Sequence, residues 1–111
     1  MNVQVRSKDI TVGDHTQSHL QAAKEQFLKY GLEITTTNTY ISKEKEGVSV
    51  EFELHIAHQS PIVIKQADQD LDAAIDIAID RTAKALRRLA DKVKDHKHQT
   101  SVKDLEVAEE A

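Results

Sequence analysis

Arg81, Lys84, Arg88 and Lys92 follow one another at spacings of three, four and four. At about 3.6 residues per turn this places them on one face of a helix, as a row of cations about 5–6 Å apart. That repeat is comparable with the phosphate spacing of a nucleic-acid strand, and a guanidinium can hold a phosphate through two parallel hydrogen bonds. Arg87, Lys94, Lys97 and His98 broaden the row. The chemistry on offer is grip on a polyanion. Plainer readings stand beside it. Cations near a helix C-terminus complement the macrodipole, as Asp70, Asp72 and Asp76 do near its start, and a charged row can be a solvated face or the docking surface for an acidic protein. Macrodipole complementation acts in the last turn, however, and this row begins about four turns from the end of the segment.

The other chemistry-bearing groups form weaker patterns. Asp68, Asp70 and Asp72 imitate the opening of a calcium loop, but the sixth and twelfth positions, which need glycine and a bidentate glutamate, hold Ala73 and Ile79. They read as charges at a helix start. His15 and His19 sit four apart with no third ligand nearby, and His55, His58, His96 and His98 read as solvated or phosphate-adjacent groups. The three glycines, Gly13, Gly31 and Gly47, make no phosphate loop, and there is no GxSxG. Glu51 and Glu53 are placed on an outer strand face, where no feature of the sequence perturbs their pKa. The chain is expected to be no enzyme, and to need no cofactor and no metal.

These groups need a scaffold. A chain of 111 residues that is 39% hydrophobic can bury one modest core, and its apolar residues are periodic, so it reads as one folded domain despite 31% charged residues. With no cysteine, stability must come from packing. No apolar run reaches the roughly 18 residues of a membrane span and the opening residues lack a secretory stretch, so the expected address is cytoplasmic. The net charge of −4 hides an arrangement: residues 1–80 hold 7 Lys+Arg against 13 Asp+Glu, residues 81–98 hold 7 against 2, and residues 99–111 hold 1 against 4. An acidic body thus carries one basic segment and an acidic tail.

Alternation of Val3 and Val5 predicts a strand over 2–6. Thr16, Leu20, Ala23, Phe27 and Tyr30 trace a helix of about four turns that Gly31 stops. Residues 34–41 suit a half-exposed strand. After a turn at 43–47, Val48, Val50, Phe52, Leu54 and Ile56 alternate with polar residues along the clearest strand. Pro61 opens a short fourth strand carried by Ile62, Val63 and Ile64. From about Asp70, Leu71, Ile75, Ala78, Thr82, Leu86, Leu89 and Val93 keep helical spacing over some 25 residues, a length that outruns any sheet of such strands. The periodicity fades after His98. The order β-α-β-β-β-α predicts an α+β two-layer sandwich, a four-stranded sheet with two helices on one face, over residues 1–98, and a flexible acidic tail over 99–111.

In this order and spacing, Ser7-Lys8, Phe27-Leu28-Lys29-Tyr30, Ile41-Ser42-Lys43-Glu44 with Gly47, Asp70-Leu71-Asp72-Ala73-Ala74-Ile75-Asp76, the basic row, and Thr100-Ser101-Val102-Lys103-Asp104 followed by acids carry a resemblance over essentially the whole chain. The sequence resembles the ribosome hibernation and translation-inhibitor family, in its protein Y (ribosome-associated inhibitor A) type. The resemblance implies a protein that binds the small ribosomal subunit at the subunit interface, in the channel used by mRNA and tRNA, contacts 16S rRNA and stabilises inactive 70S ribosomes under stress. It implies Arg81, Lys84, Arg88 and Lys92 as rRNA contacts, with Lys8 and Lys29 secondary, and a tail that opposes 100S dimer formation. Asp72 stands where the family usually has tyrosine, and Gln17 and Gln26 stand where it often has cations, so the second helix is expected to carry more of the binding than the first.

The expected function is therefore non-catalytic ribosome binding and translation inhibition, through Arg81, Lys84, Arg87, Arg88, Lys92, Lys94, Lys8 and Lys29. The expected partners are the small ribosomal subunit and the 70S ribosome, with no membrane and no small-molecule substrate, and the chain is expected to be a monomer off the ribosome. The alternatives are a protein-interaction module whose basic helix binds an acidic partner, and a general double-stranded RNA binder.

Overall fold

The computed structural model describes residues 2–102, and the side chains of residues 2–94. The elements are β1 (Asn2–Lys8), α1 (Asp14–Phe27) with a 3-10 turn at Leu28–Tyr30, β2 (Ile34–Glu44), β3 (Gly47–Ile56), β4 (Ile62–Asp68) and α2 (Leu71–Val102). They have the order and the α+β class that the sequence predicts. The sheet order is β1-β2-β3-β4, with β1 parallel to β2 and the other two pairings antiparallel, so the sheet is mixed and α1 is the crossover of a β-α-β unit.

Alternation decides which way β3 faces. Val48, Val50, Phe52, Leu54 and Ile56 are all buried, and Ile34 and Ile41 of β2 join them. α1 lays Leu20, Ala23 and Phe27 onto this face, where the Phe27 and Phe52 rings meet edge to face at 6.3 Å. Its 3-10 extension ends at Gly31, whose φ of 76° is the left-handed conformation that a glycine adopts freely. α2 adds Ala74, Ile75, Ala78 and Leu86. The burial of about ten such side chains, each contributing roughly 1.5–3 kcal/mol for a Val, Leu, Ile or Phe, holds the two layers together.

β1 and β2 run past their predicted ends, to Lys8 and Glu44, and β4 and α2 exceed their predicted lengths by more. β4 runs to Asp68 because Ile62, Ile64, Gln66 and Asp68 keep facing inward, half-buried, while Val63, Lys65 and Ala67 stay out. The polar identity of the second half hides a strand that its pairing with β3 fixes. α2 spans 32 residues rather than some 25, about 48 Å at 1.5 Å per residue, and sets the longest dimension of the molecule, 52 Å. It begins on the aspartates that imitate a calcium loop. Asp70 Oδ2 accepts the Ala73 backbone N–H at 3.0 Å and Asp68 Oδ1 accepts that of Asp70 at 3.1 Å, so these carboxylates satisfy orphan donors at the helix start. By backbone, α2 takes in residues 99–102 of the expected tail, and residues 103–111 lie outside the described residues. Among the described residues no helix is long and apolar enough to cross a membrane.

Candidate nucleic-acid interface

The buried residues Ala74, Ile75, Ala78, Thr82 and Leu86 define the inward face of α2. At about 100° per residue, Arg81, Lys84, Arg88 and Lys92 lie along one flank of that face and Arg87 and Lys94 along the other, with Asp80 and Asp91 on the ridge between them. The contacts agree. Arg81 reaches the edge strand β4, whereas Arg87 and Lys94 stand over the connection between α1 and β2, where they line a groove with Tyr30, Gly31 and Leu32. The cations of the helix thus form two groups rather than one broadened row.

Within the first group the side chains are differently engaged. Arg81 Nη1 donates to the Lys65 carbonyl at 2.8 Å and to Gln66 Oε1 at 3.0 Å, which fastens α2 to β4 and leaves the other guanidinium donors open. Lys84 Nζ lies 3.2 Å from Asp80 Oδ2 one turn earlier, with both side chains exposed. Such a pair contributes about 0.3–0.5 kcal/mol, so exchanging it for a phosphate costs little. Arg88 and Lys92 are exposed and have no ion pair among the described residues. They follow Leu86, the last fully buried side chain of α2 among the described residues.

The remaining predicted positions fall in two places. Lys29 is exposed on the 3-10 turn, next in the chain to Tyr30, which shares a groove with Arg87 and Lys94. Lys8 closes β1 opposite Ser42; along that row lie Ser49 and Ala67, just before α2 begins, so Lys8 stands at the other end of the sheet from the basic half of α2. Lys97, His96 and His98 lie beyond the described side chains. His19 bridges the helices, with Nε2 2.9 Å from Asp76 Oδ1, while His15 is exposed. Among the described residues no three His, Asp or Glu side chains gather as a metal site.

Two groups escaped the sequence reading. Glu53 on the outer sheet face accepts Asn38 Nδ2 at 3.2 Å and Tyr40 OH at 3.4 Å and lies 3.6 Å from His55 Nε2. The Asn38 hydrogen bond above all, then the nearby His55 and the Tyr40 hydroxyl, hold its carboxyl below the usual glutamate range against the opposing effect of desolvation. The cause is cross-strand register, Asn38 opposite Glu53, which composition does not encode. Lys24 is fully buried in α1, and desolvation lowers its pKa from 10.5 to about 8. The signal for it was available: Lys24 sits one turn from Leu20 and Phe27 on the apolar side of the helix.

Comparison of the sequence with curated proteins finds no match. Among solved structures, the fold is similar to the Thermus thermophilus protein Y N-terminal domain, with a TM-score of 0.71 and 20% identity over 80% of this chain and 99% of that one. It is also similar to a ribosomal subunit interface protein from Coxiella burnetii, with a TM-score of 0.65 and 14% identity over 80% and 97%. At these identities the likeness establishes the fold. The family itself comes from the sequence, because residues 3–94, every element from β1 to the basic half of α2, match the family model described as sigma 54 modulation protein / S30EA ribosomal protein. The resemblance read from the residues is therefore borne out, and the chain belongs to the sigma 54 modulation protein / S30EA ribosomal protein family.

Proposed function

We propose that this protein is a non-catalytic translation inhibitor that binds rRNA of the small ribosomal subunit at the subunit interface, in the path of mRNA and tRNA. It holds 70S ribosomes inactive under stress, acts in the cytoplasm as a monomer off the ribosome, and uses the acidic residues of its tail to oppose 100S dimer formation. Family membership and the likeness to proteins described as protein Y and as a ribosomal subunit interface protein support the ribosome as partner. The observation that carries the reading is the pair Arg88 and Lys92, exposed, free of ion pairs among the described residues, and one turn apart on a rigid helix. Lys84 joins them at the cost of a weak exposed pair, and Arg81 joins with the donors that β4 leaves open.

The test is cosedimentation with 30S and 70S particles. Arg88→Glu with Lys92→Glu is expected to weaken binding at least about tenfold at physiological salt while circular dichroism stays unchanged, because neither side chain holds the fold together. Undiminished cosedimentation would remove Arg88 and Lys92 from the interface and with them the observation that carries this reading. Arg81→Glu is a poorer probe, since it also breaks the fastening to β4.

A further inference from the structure

Arg87 and Lys94 belong to a different environment from Arg88 and Lys92. With Tyr30, Leu32 and Val93 they line a groove of about 420 Å³ between the α1–β2 connection and the second half of α2. Its wall is apolar, since Tyr30 and Leu32 are half-buried and packed against the core and Val93 is half-buried. Its rim is cationic. Arg87 and Lys94 stand seven residues apart on one side of α2, about 10 Å along the axis, and Lys29 is exposed next to Tyr30. Asp91, the carboxylate in the lining, lies between the two cations. The volume is within the roughly 300–1,000 Å³ of small-ligand sites.

An aromatic and aliphatic wall with a cation at either end suits a flat apolar group that carries an anion on both sides. We propose that this groove seats one unpaired nucleotide of an RNA strand, with its base against Tyr30, Leu32 and Val93 and its flanking phosphates on Arg87 and Lys94. Asp91 repels phosphate from the middle of the groove and accepts hydrogen bonds from a ribose hydroxyl or a base amino group there. The inference deepens the rRNA-binding reading and rests on it: the first flank of α2 holds a strand by its backbone, and this second flank takes a base out of the stack. Base stacking on an aromatic ring is tolerant of sequence, so the groove reads unpaired structure rather than a particular base.

The chain has two tyrosines and no tryptophan, so its tyrosine ring signals report two places only, Tyr30 in the groove and Tyr40 on the outer sheet face. Pentaadenylate titrated into the full chain at low salt is expected to move the Tyr30 ring resonances upfield in a saturable way, with Tyr40 unmoved. Arg87→Gln with Lys94→Gln is expected to weaken the effect about tenfold, and Arg88→Gln with Lys92→Gln by much less. Tyr30→Leu, which keeps an apolar wall, is expected to lower the affinity of a labelled pentaadenylate about tenfold. A shift at Tyr40 instead, no saturable shift up to about 10 mM, or equal weakening by both double variants would overturn the groove. Cosedimentation of the unsubstituted chain separates the two claims: ribosome binding without a Tyr30 response to pentaadenylate sinks the groove alone, and absence of both removes the rRNA reading beneath it.

Discussion

Lys24 lies on the buried side of α1 with its ammonium group enclosed and no hydrogen-bond partner among the described residues. Charge in such a place is costly, which is why its pKa falls to about 8. The folded-state value lies below the unfolded one of about 10.4, so between about pH 8 and 10.4 the unfolded chain binds more protons and stability rises with pH; below about pH 8 the full cost of the buried charge is present. Lys24→Met, similar in length and uncharged, is expected to stabilise the protein at pH 7 by roughly 2–3 kcal/mol and to give a smaller advantage at pH 10. Urea denaturation of both proteins at the two pH values checks this; equal stability at pH 7 would mean that the ammonium is solvated. The apolar stripe of α1 was legible from Leu20, Ala23 and Phe27, and Lys24 lies on that stripe, but residue type alone assigns a lysine to solvent, so its position was the signal and its type concealed it.

At the scale of elements, the turn between β2 and β3 places a tight constraint on the sheet. Gly47 has φ of 143°, and a Cβ there would collide with the carbonyl of Asp68 at the end of β4, so this residue lets the hairpin close under the strand that leads into α2. Gly47→Ala is expected to cost about 1–3 kcal/mol and to lower Tm by roughly 5 °C or more, read by thermal melting; an unchanged melt would mean that the turn relaxes freely. Element identity was largely readable, because β3 alternates over its whole length and α2 keeps its spacing from Leu71 to Val93. What was not readable is pairing. The parallel placement of β1 beside β2, the polar second half of β4 and the division of the α2 cations between two flanks all depend on which neighbour each side chain meets.

For the whole molecule, the question is how a chain of net charge −4 meets a polyanion. At physiological salt, exposed charges beyond about 8 Å are screened, so the ligand senses the near half of α2 and little of the acidic body. If about five phosphates are neutralised, ribosome affinity should fall with salt at a log–log slope of roughly −3.5 to −4.5. Binding measured over a salt series tests this, and a slope near zero would point to apolar or protein contacts instead.

The unbroken course of α2 couples these scales. One rod carries both the side chains locked into the sheet, Ala74, Ile75, Ala78 and Leu86, and the cations beyond them, so the compass bearing of every distal charge is inherited from packing several turns away. A single residue inserted between Leu86 and Arg87 would keep every charge and yet turn Arg87 and the cations after it by about 100°, presenting the wrong flank to their target. Evolution can exchange one cation for another along this rod, but its phase is tied to the core.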